Sequence, residues 1–269
     1  MEIKWIYPRW GSAHLEWEVF LSKVKEHGYH GVEIDLPFGP DKKEIATMLT
    51  DFELDFVGQH WQTQEVDHEK HMEEYKRHLY NLAEEKPLLI NSHTGRDFFS
   101  FEQNLELIKL AQQVEVETGV PIAHETHRSR FPFAAHVCKQ YLHEITSLKL
   151  TSDLSHWCCV AETLLENQQE AVDLAIQHTY HIHARVGSTQ SPQVMDPRVD
   201  TYQEELAQFK KWWKAMLENA ESGGRPYITI APEYGPLPYA LQHPQTGELL
   251  GDQWEINQFI RKEIEDLWD

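Results

Sequence analysis

Glu125, Asp153 and Glu233 each close a short apolar run, and a fourth run carries His181, His183 and Arg185 on alternate residues. Such a set can do metal chemistry. Two Glu, one Asp and one neutral imidazole offer three hard oxygen donors and one nitrogen, a mix that suits Mn²⁺, Mg²⁺ or Co²⁺ and also accepts Zn²⁺. With no thiolate among them, one manganese-like divalent ion is the expected cofactor. The alternative without a metal, a buried salt-bridge cluster, would bury three carboxylates at high cost.

For these residues to meet, the runs that carry them must be neighbouring strands. Eight runs read as strands, at residues 3–7, 31–35, 54–59, 88–92, 120–125, 148–153, 180–185 and 227–233. Stretches of helical period separate them: Leu206, Phe209, Trp213, Met216, Leu217 and Ala220 form one apolar stripe, and Met72, Tyr75, Leu79 and Leu82 another. Strand and helix alternate from end to end, with no Pro/Gly/Ser-rich linker to divide them. The expectation is one domain over 1–269, an α/β single (β/α)₈ TIM barrel, whose chemistry belongs at the C-terminal ends of its strands. A doubly wound sheet is the alternative, but no Gly-x-Gly-x-x-Gly or P-loop run is present.

Strand parity places His181, His183 and Arg185 on the lumen face of the seventh run, with Ile182 and Ala184 toward the helices. Asn91 then shares a face with His93, Thr151 with Asp153, and Ala231 with Glu233. His60 follows the third run and His93 the fourth, where either could touch a substrate or make a structural hydrogen bond. Glu33, inward on the second run, reads equally as an anchor or a substrate contact.

The chain has 269 residues, 24 Lys+Arg against 44 Asp+Glu, and a formal charge of −20. That field repels phosphate backbones and anionic membranes, so nucleic acid and lipid are poor partners. Cys138, Cys158 and Cys159 form no paired framework, which fits a reducing compartment, and the first residues lack the basic and apolar regions of a secretion signal. A cytoplasmic protein is expected, and a homo-oligomer is compatible with the sequence.

The segments Gly28-Tyr29-His30-Gly31-Val32-Glu33, His124-Glu125-Thr126-His127-Arg128, Ser152-Asp153-Leu154-Ser155-His156, His181-Ile182-His183 and Pro232-Glu233-Tyr234-Gly235 resemble the xylose-isomerase-like superfamily of sugar (phosphate) isomerases and epimerases. The resemblance implies a divalent metal held by Glu125, Asp153, His183 and Glu233. It makes His156 a substrate-contacting residue and Arg185 a contact to a substrate hydroxyl or phosphate. It also implies a small polyhydroxy carbonyl substrate, with Glu125 and Glu233 exchanging its proton through an enediolate. A keto-polyol dehydratase and a non-catalytic sugar-binding barrel are the competing readings. Abasic-site endonucleases share the superfamily, but where their pattern has Asp-x-His this chain has Asp196-Pro197-Arg198, and an Arg cannot ligate a metal.

Most of the other histidines, among them His14, His27, His30, His71, His78 and His178, read as surface or satisfied core residues. His181 is the alternative metal ligand to His183. Trp10, Trp61, Trp157, Phe98, Phe99 and Tyr234 fall near strand ends, as sugar-covering faces or as loop packing.

Overall fold

In the computed structural model, which describes residues 1–268, each of the eight apolar runs overlaps a strand. They are β1 (Glu2–Pro8), β2 (Gly31–Ile34), β3 (Asp55–His60), β4 (Ile90–Ser92), β5 (Ile122–Glu125), β6 (Leu150–Ser152), β7 (Thr179–Ala184) and β8 (Tyr227–Pro232). All neighbours pair in parallel, in chain order, and β8 returns to β1 through Trp5 opposite Ile230, so the sheet closes into the expected (β/α)₈ barrel. Closure removes every sheet edge.

The connecting helices are α1 (Trp17–Glu26), α2 (Asp41–Asp51), α3 (His68–Ala83), α4 (Phe101–Thr118), α5 (Ala135–Glu144), α6 (Leu154–Ala161), α7 (Gln169–His178), α8 (Gln203–Ser222) and α9 (Gln253–Trp268). Two helices therefore follow β6, one more than the simple repeat. Local chemistry fixes the boundaries of α4: Ser100 and Gln103 form a reciprocal capping box at its start, and Gly119, at φ 72°, ends it in the left-handed region. The apolar stripe of α8 is buried as its spacing requires. Each such Leu, Phe or Met stabilises the fold by roughly 1.5–3 kcal/mol.

Most of the core lies between barrel and helices. Inside the barrel, Ile6, Val57, Leu89, Ala123 and Ala231 form a separate apolar cluster that fills the lumen. On the same strand faces stand Glu33, Asn91, Glu125, His181 and His183, all buried. The strands meet closely beside this layer: a Cβ on Gly31 would lie 2.3 Å from the Asp55 carbonyl oxygen.

Candidate active site

The site is built around His183 on β7. Its Nε2 lies 2.8 Å from Glu33 Oε2, a geometry that puts a proton on Nε2 and leaves Nδ1 as the free nitrogen. Nδ1 is buried, 2.7 Å from Glu233 Oε2 and 3.6 Å from Glu125 Oε2, yet no aligned hydrogen bond satisfies it. A lone pair facing carboxylate oxygens at that range calls for a positive charge between them. Without a metal that charge is a proton: burial favours the neutral ring, but Glu233, Glu33 and Glu125 overcome it and raise the His183 pKa well above the ordinary histidine value, and a bound cation would take the proton's place on Nδ1.

The carboxylates around it are held from outside the centre. Asn91 on β4 donates to Glu33 Oε1 at 2.9 Å and to Glu125 Oε2 at 2.8 Å, and His93 Nε2 donates to the same Glu125 oxygen at 2.8 Å. Against burial, the His93 and His183 charges keep the Glu125 pKa well below the carboxylate range. Glu33 is likewise held low despite burial, by the His183 charge and by the hydrogen bonds from His181 and His183. Asp153 differs: burial, with Glu233 and Glu125 nearby, pushes it up to about 6 although Arg185 opposes the shift.

Asp153 closes β6 and caps α6, accepting from Ser155 N at 3.0 Å. Its other oxygen accepts from Arg185 Nε at 3.0 Å, and Arg185 Nη2 reaches Glu233 Oε2 at 2.7 Å. Arg185 thus ties β6 to β8 from inside the mouth. Tyr239 and Trp10 lie over its guanidinium, with ring centroids at 4.7 and 5.4 Å. Trp10 can lie there because residue 235 is glycine, whose missing Cβ would fall 2.3 Å from the indole.

Above the centre opens a cavity of about 610 Å³, lined among others by Trp10, Gln59, Trp61, His93, Arg130 and Tyr239, with Glu125, Arg185 and Glu233 at its floor. Its volume suits a small polar molecule. The His93 and His127 rings stack at 4.4 Å, and His127 continues to His156 at 4.0 Å.

Of the residues singled out from the sequence, single ligand atoms of Glu125, Asp153 and His183 lie within 4.8 Å of one another. Glu233 joins them through His183 and Arg185. His156 is buried beside Asp153, its Nε2 at 3.5 Å from Oδ2, with neither ring nitrogen hydrogen-bonded. His93 lines the cavity, whereas His60 is fully buried behind the barrel wall, its nitrogens satisfied by Thr63 and Ser92. Parity explains this: Val57 and Gln59 face the lumen, so His60 faces the helices. His181 lies deeper, bonded to Thr229 Oγ1 at 2.8 Å. Asp196 and Arg198 pair with each other, away from the centre, and Arg198 also reaches Glu255. Trp157 and Tyr234 are buried packing residues, each hydrogen-bonding a backbone carbonyl.

Of the two readings of Glu33, the contact to His183 is that of an anchor, which orients the histidine. Two roles were not evident in the sequence. His127 joins the histidine stack, and a second grouping of ligand atoms consists of His93, Glu125 and His127. Asn91 clamps two carboxylates, as an inward polar residue two positions before His93.

A divalent cation fits this set: an unsatisfied buried imidazole nitrogen, carboxylates converging on it, and a neighbouring carboxylate fixing the tautomer. The three cysteines take no part, two of them being buried and all free.

No protein-family profile matches the chain, and no curated protein matches it by sequence. Solved structures share its fold over its full length. A xylose isomerase domain containing protein from Salmonella typhimurium superposes with a TM-score of 0.64 at 16% identity, covering 100% of both chains. A D-allulose 3-epimerase from Methylomonas gives 0.63 at 14%, covering 98% of each. Endonuclease IV from Thermus thermophilus gives 0.60 at 11%, again 98% of each. The chain therefore shares the (β/α)₈ barrel fold of these three proteins, whose names cover more than one chemistry. Among the described residues no helix is long and apolar enough to cross a membrane.

Proposed function

We propose that the protein is a divalent-metal-dependent isomerase or epimerase of a small sugar or related polyhydroxy carbonyl compound, working by proton transfer between two glutamates. The observation that carries this reading is His183: its Nε2 is pinned by Glu33, and its Nδ1 is left unsatisfied among carboxylates. Glu125, Asp153, His183 and Glu233 would hold the ion, with manganese preferred on the donor set. When bound, the metal supplies a Lewis acid that makes the C–H bond beside a carbonyl more acidic.

The chain's own residues then handle the proton. Glu125 enters from β5 and Glu233 from β8, so a substrate lying between them meets a carboxylate from either side. One removes the proton and the other returns it. His93 and Asn91 hold Glu125 Oε2, and Arg185 holds Glu233, so neither base has to search for its position. A positioned base contributes about 10²- to 10⁴-fold, roughly 3–5 kcal/mol. Trp10, Trp61 and Tyr239 around the cavity can cover the apolar face of a sugar and exclude water. The charge of −20 opposes binding of DNA and so weighs against strand cleavage.

The test is turnover in D₂O with added Mn²⁺ and a panel of ketoses, aldoses and their phosphates. Deuterium should enter the product at the reacting carbon. Glu125→Gln and Glu233→Gln should each slow exchange by about 10²-fold or more while binding changes far less. Exchange that is independent of metal, or unaffected in both variants, overturns the assignment.

A further inference from the structure

One wall of the cavity carries a buried charge with no carboxylate in ion-pair contact. Arg130, just after β5, is 3% exposed and lines the cavity. Its Nη1 donates to the Thr63 carbonyl and its Nη2 to the Trp61 carbonyl, both at 2.9 Å, and its Nε has no acceptor. Among the described residues the arginines with carboxylate partners are Arg185, Arg198 and Arg261, and Arg130 is not one of them.

Arg185 makes the contrast. It is 2% exposed and lines the same cavity, but Asp153 and Glu233 neutralise it. Arg130 hydrogen-bonds only to neutral carbonyls; burial and nearby Arg96 push its pKa down to about 10, although Glu125 and Asp97 act on it from beyond hydrogen-bond reach. A chain with 44 acidic residues does not lack carboxylates to place there. Across the mouth, Arg9 also lacks a carboxylate partner: its Nη2 donates to Leu15 O at 2.7 Å, its guanidinium lies 4.2 Å from the Trp17 ring, and its Nη1 is buried without an acceptor. A buried charge held only by neutral dipoles is costly, and a ligand anion would remove that cost.

We propose that the substrate carries an oxyanion, and that Arg130 is the residue that pairs with it, with Arg9 as a second cation across the mouth. The inference rests on the sugar-type reading for the rest of the molecule and adds its acidic group. Carboxylate and phosphate share the required chemistry, since guanidinium pairs with either. The anion sits on the β3–β5 side, so the carbonyl end faces Glu125 and Glu233.

Calorimetric titration of the Mn²⁺-loaded protein with a ketopentose, its 5-phosphate and the uronic acid of similar length tests this. At least one acidic form should bind about tenfold or more tightly than the neutral sugar, and whichever does so identifies the group. Inorganic phosphate should compete if the phosphate form is preferred. Arg130→Gln should erase the preference, so that acidic and neutral forms bind with equal affinity. Equal affinity for neutral and acidic forms in the unmodified protein overturns the proposal, as does a variant that weakens all three alike. Should Arg130→Gln not fold, Arg130→Lys decides: a preference changed by about threefold or more supports the pairing, and an unchanged one refutes it. Deuterium exchange is a separate readout. Exchange on a substrate bound without acid preference would sink this inference alone, and acid preference without exchange would sink the isomerase reading alone.

Discussion

Behind the barrel wall, His60, His71 and His124 are buried among hydroxyls, rings and backbone; inside it, His181 and His183 are buried beside Glu33. His60 meets Thr63 and Ser92, and His124 meets Thr94 Oγ1 at 2.7 Å. Burial pushes His60 well below the ordinary histidine value, His71 to about 4 and His124 to about 3. His183, equally buried, moves the other way. Burial alone makes an imidazole neutral, and only carboxylates at contact distance reverse it. Hydroxyls suit a neutral ring that packs; converging carboxylates suit a centre that takes a cation.

The sharpest way to break this contrast is at His183. His183→Ala should weaken Mn²⁺ binding by about 10³-fold or more while the protein stays folded, measured by calorimetry. Near-normal affinity would put the ion elsewhere.

On the other side of the wall, His71 has Nδ1 bonded to the Glu65 carbonyl at 2.9 Å and a buried Nε2 without a partner. Its folded pKa, about 4, lies below the ordinary histidine value of 6.5, so the neutral ring stabilises the fold fully above pH 6.5. That contribution is lost as pH falls through 4. Comparing His71→Gln with the unmodified protein by urea denaturation should show an acid limb shallower by up to about 3 kcal/mol between those pH values. Parallel limbs would mean that His71 is not the group being protonated.

A smaller effect is expected at Glu33. Glu33→Gln keeps the shape but loses the charge that fixes His183, and should reduce metal affinity by about 10- to 100-fold. If affinity is unchanged, the tautomer is set by something other than Glu33.

The ends of β5, β6 and β8 were legible in the sequence because each apolar run stops at a carboxylate, and a run that ends on a charge exposes where its strand emerges. The barrel was legible for a related reason, since eight such runs alternate with helical stripes. His183 over His181 followed from depth along β7. Other roles depended on chain returns that spacing does not encode. Arg130 reaches the carbonyls of Trp61 and Thr63 across 69 and 67 residues. His127 meets His93 through a loop, and Glu33 meets His183 across 150 positions. His60 takes the second of its two readings, a structural hydrogen bond, and counting from Val57 already puts its side chain outside the lumen. Arg185 read as a substrate contact, but its fork is engaged by Asp153 and Glu233.

Asp153 is at once a member of the charged centre and the N-cap of α6, which begins at the very next residue. The ordering of that eight-residue helix and the aiming of the carboxylate are therefore one event. Any excursion that frays the first turn of α6 releases Ser155 N from Asp153 and frees the side chain to swing, so the lifetime of the assembled centre cannot exceed that of the turn it caps.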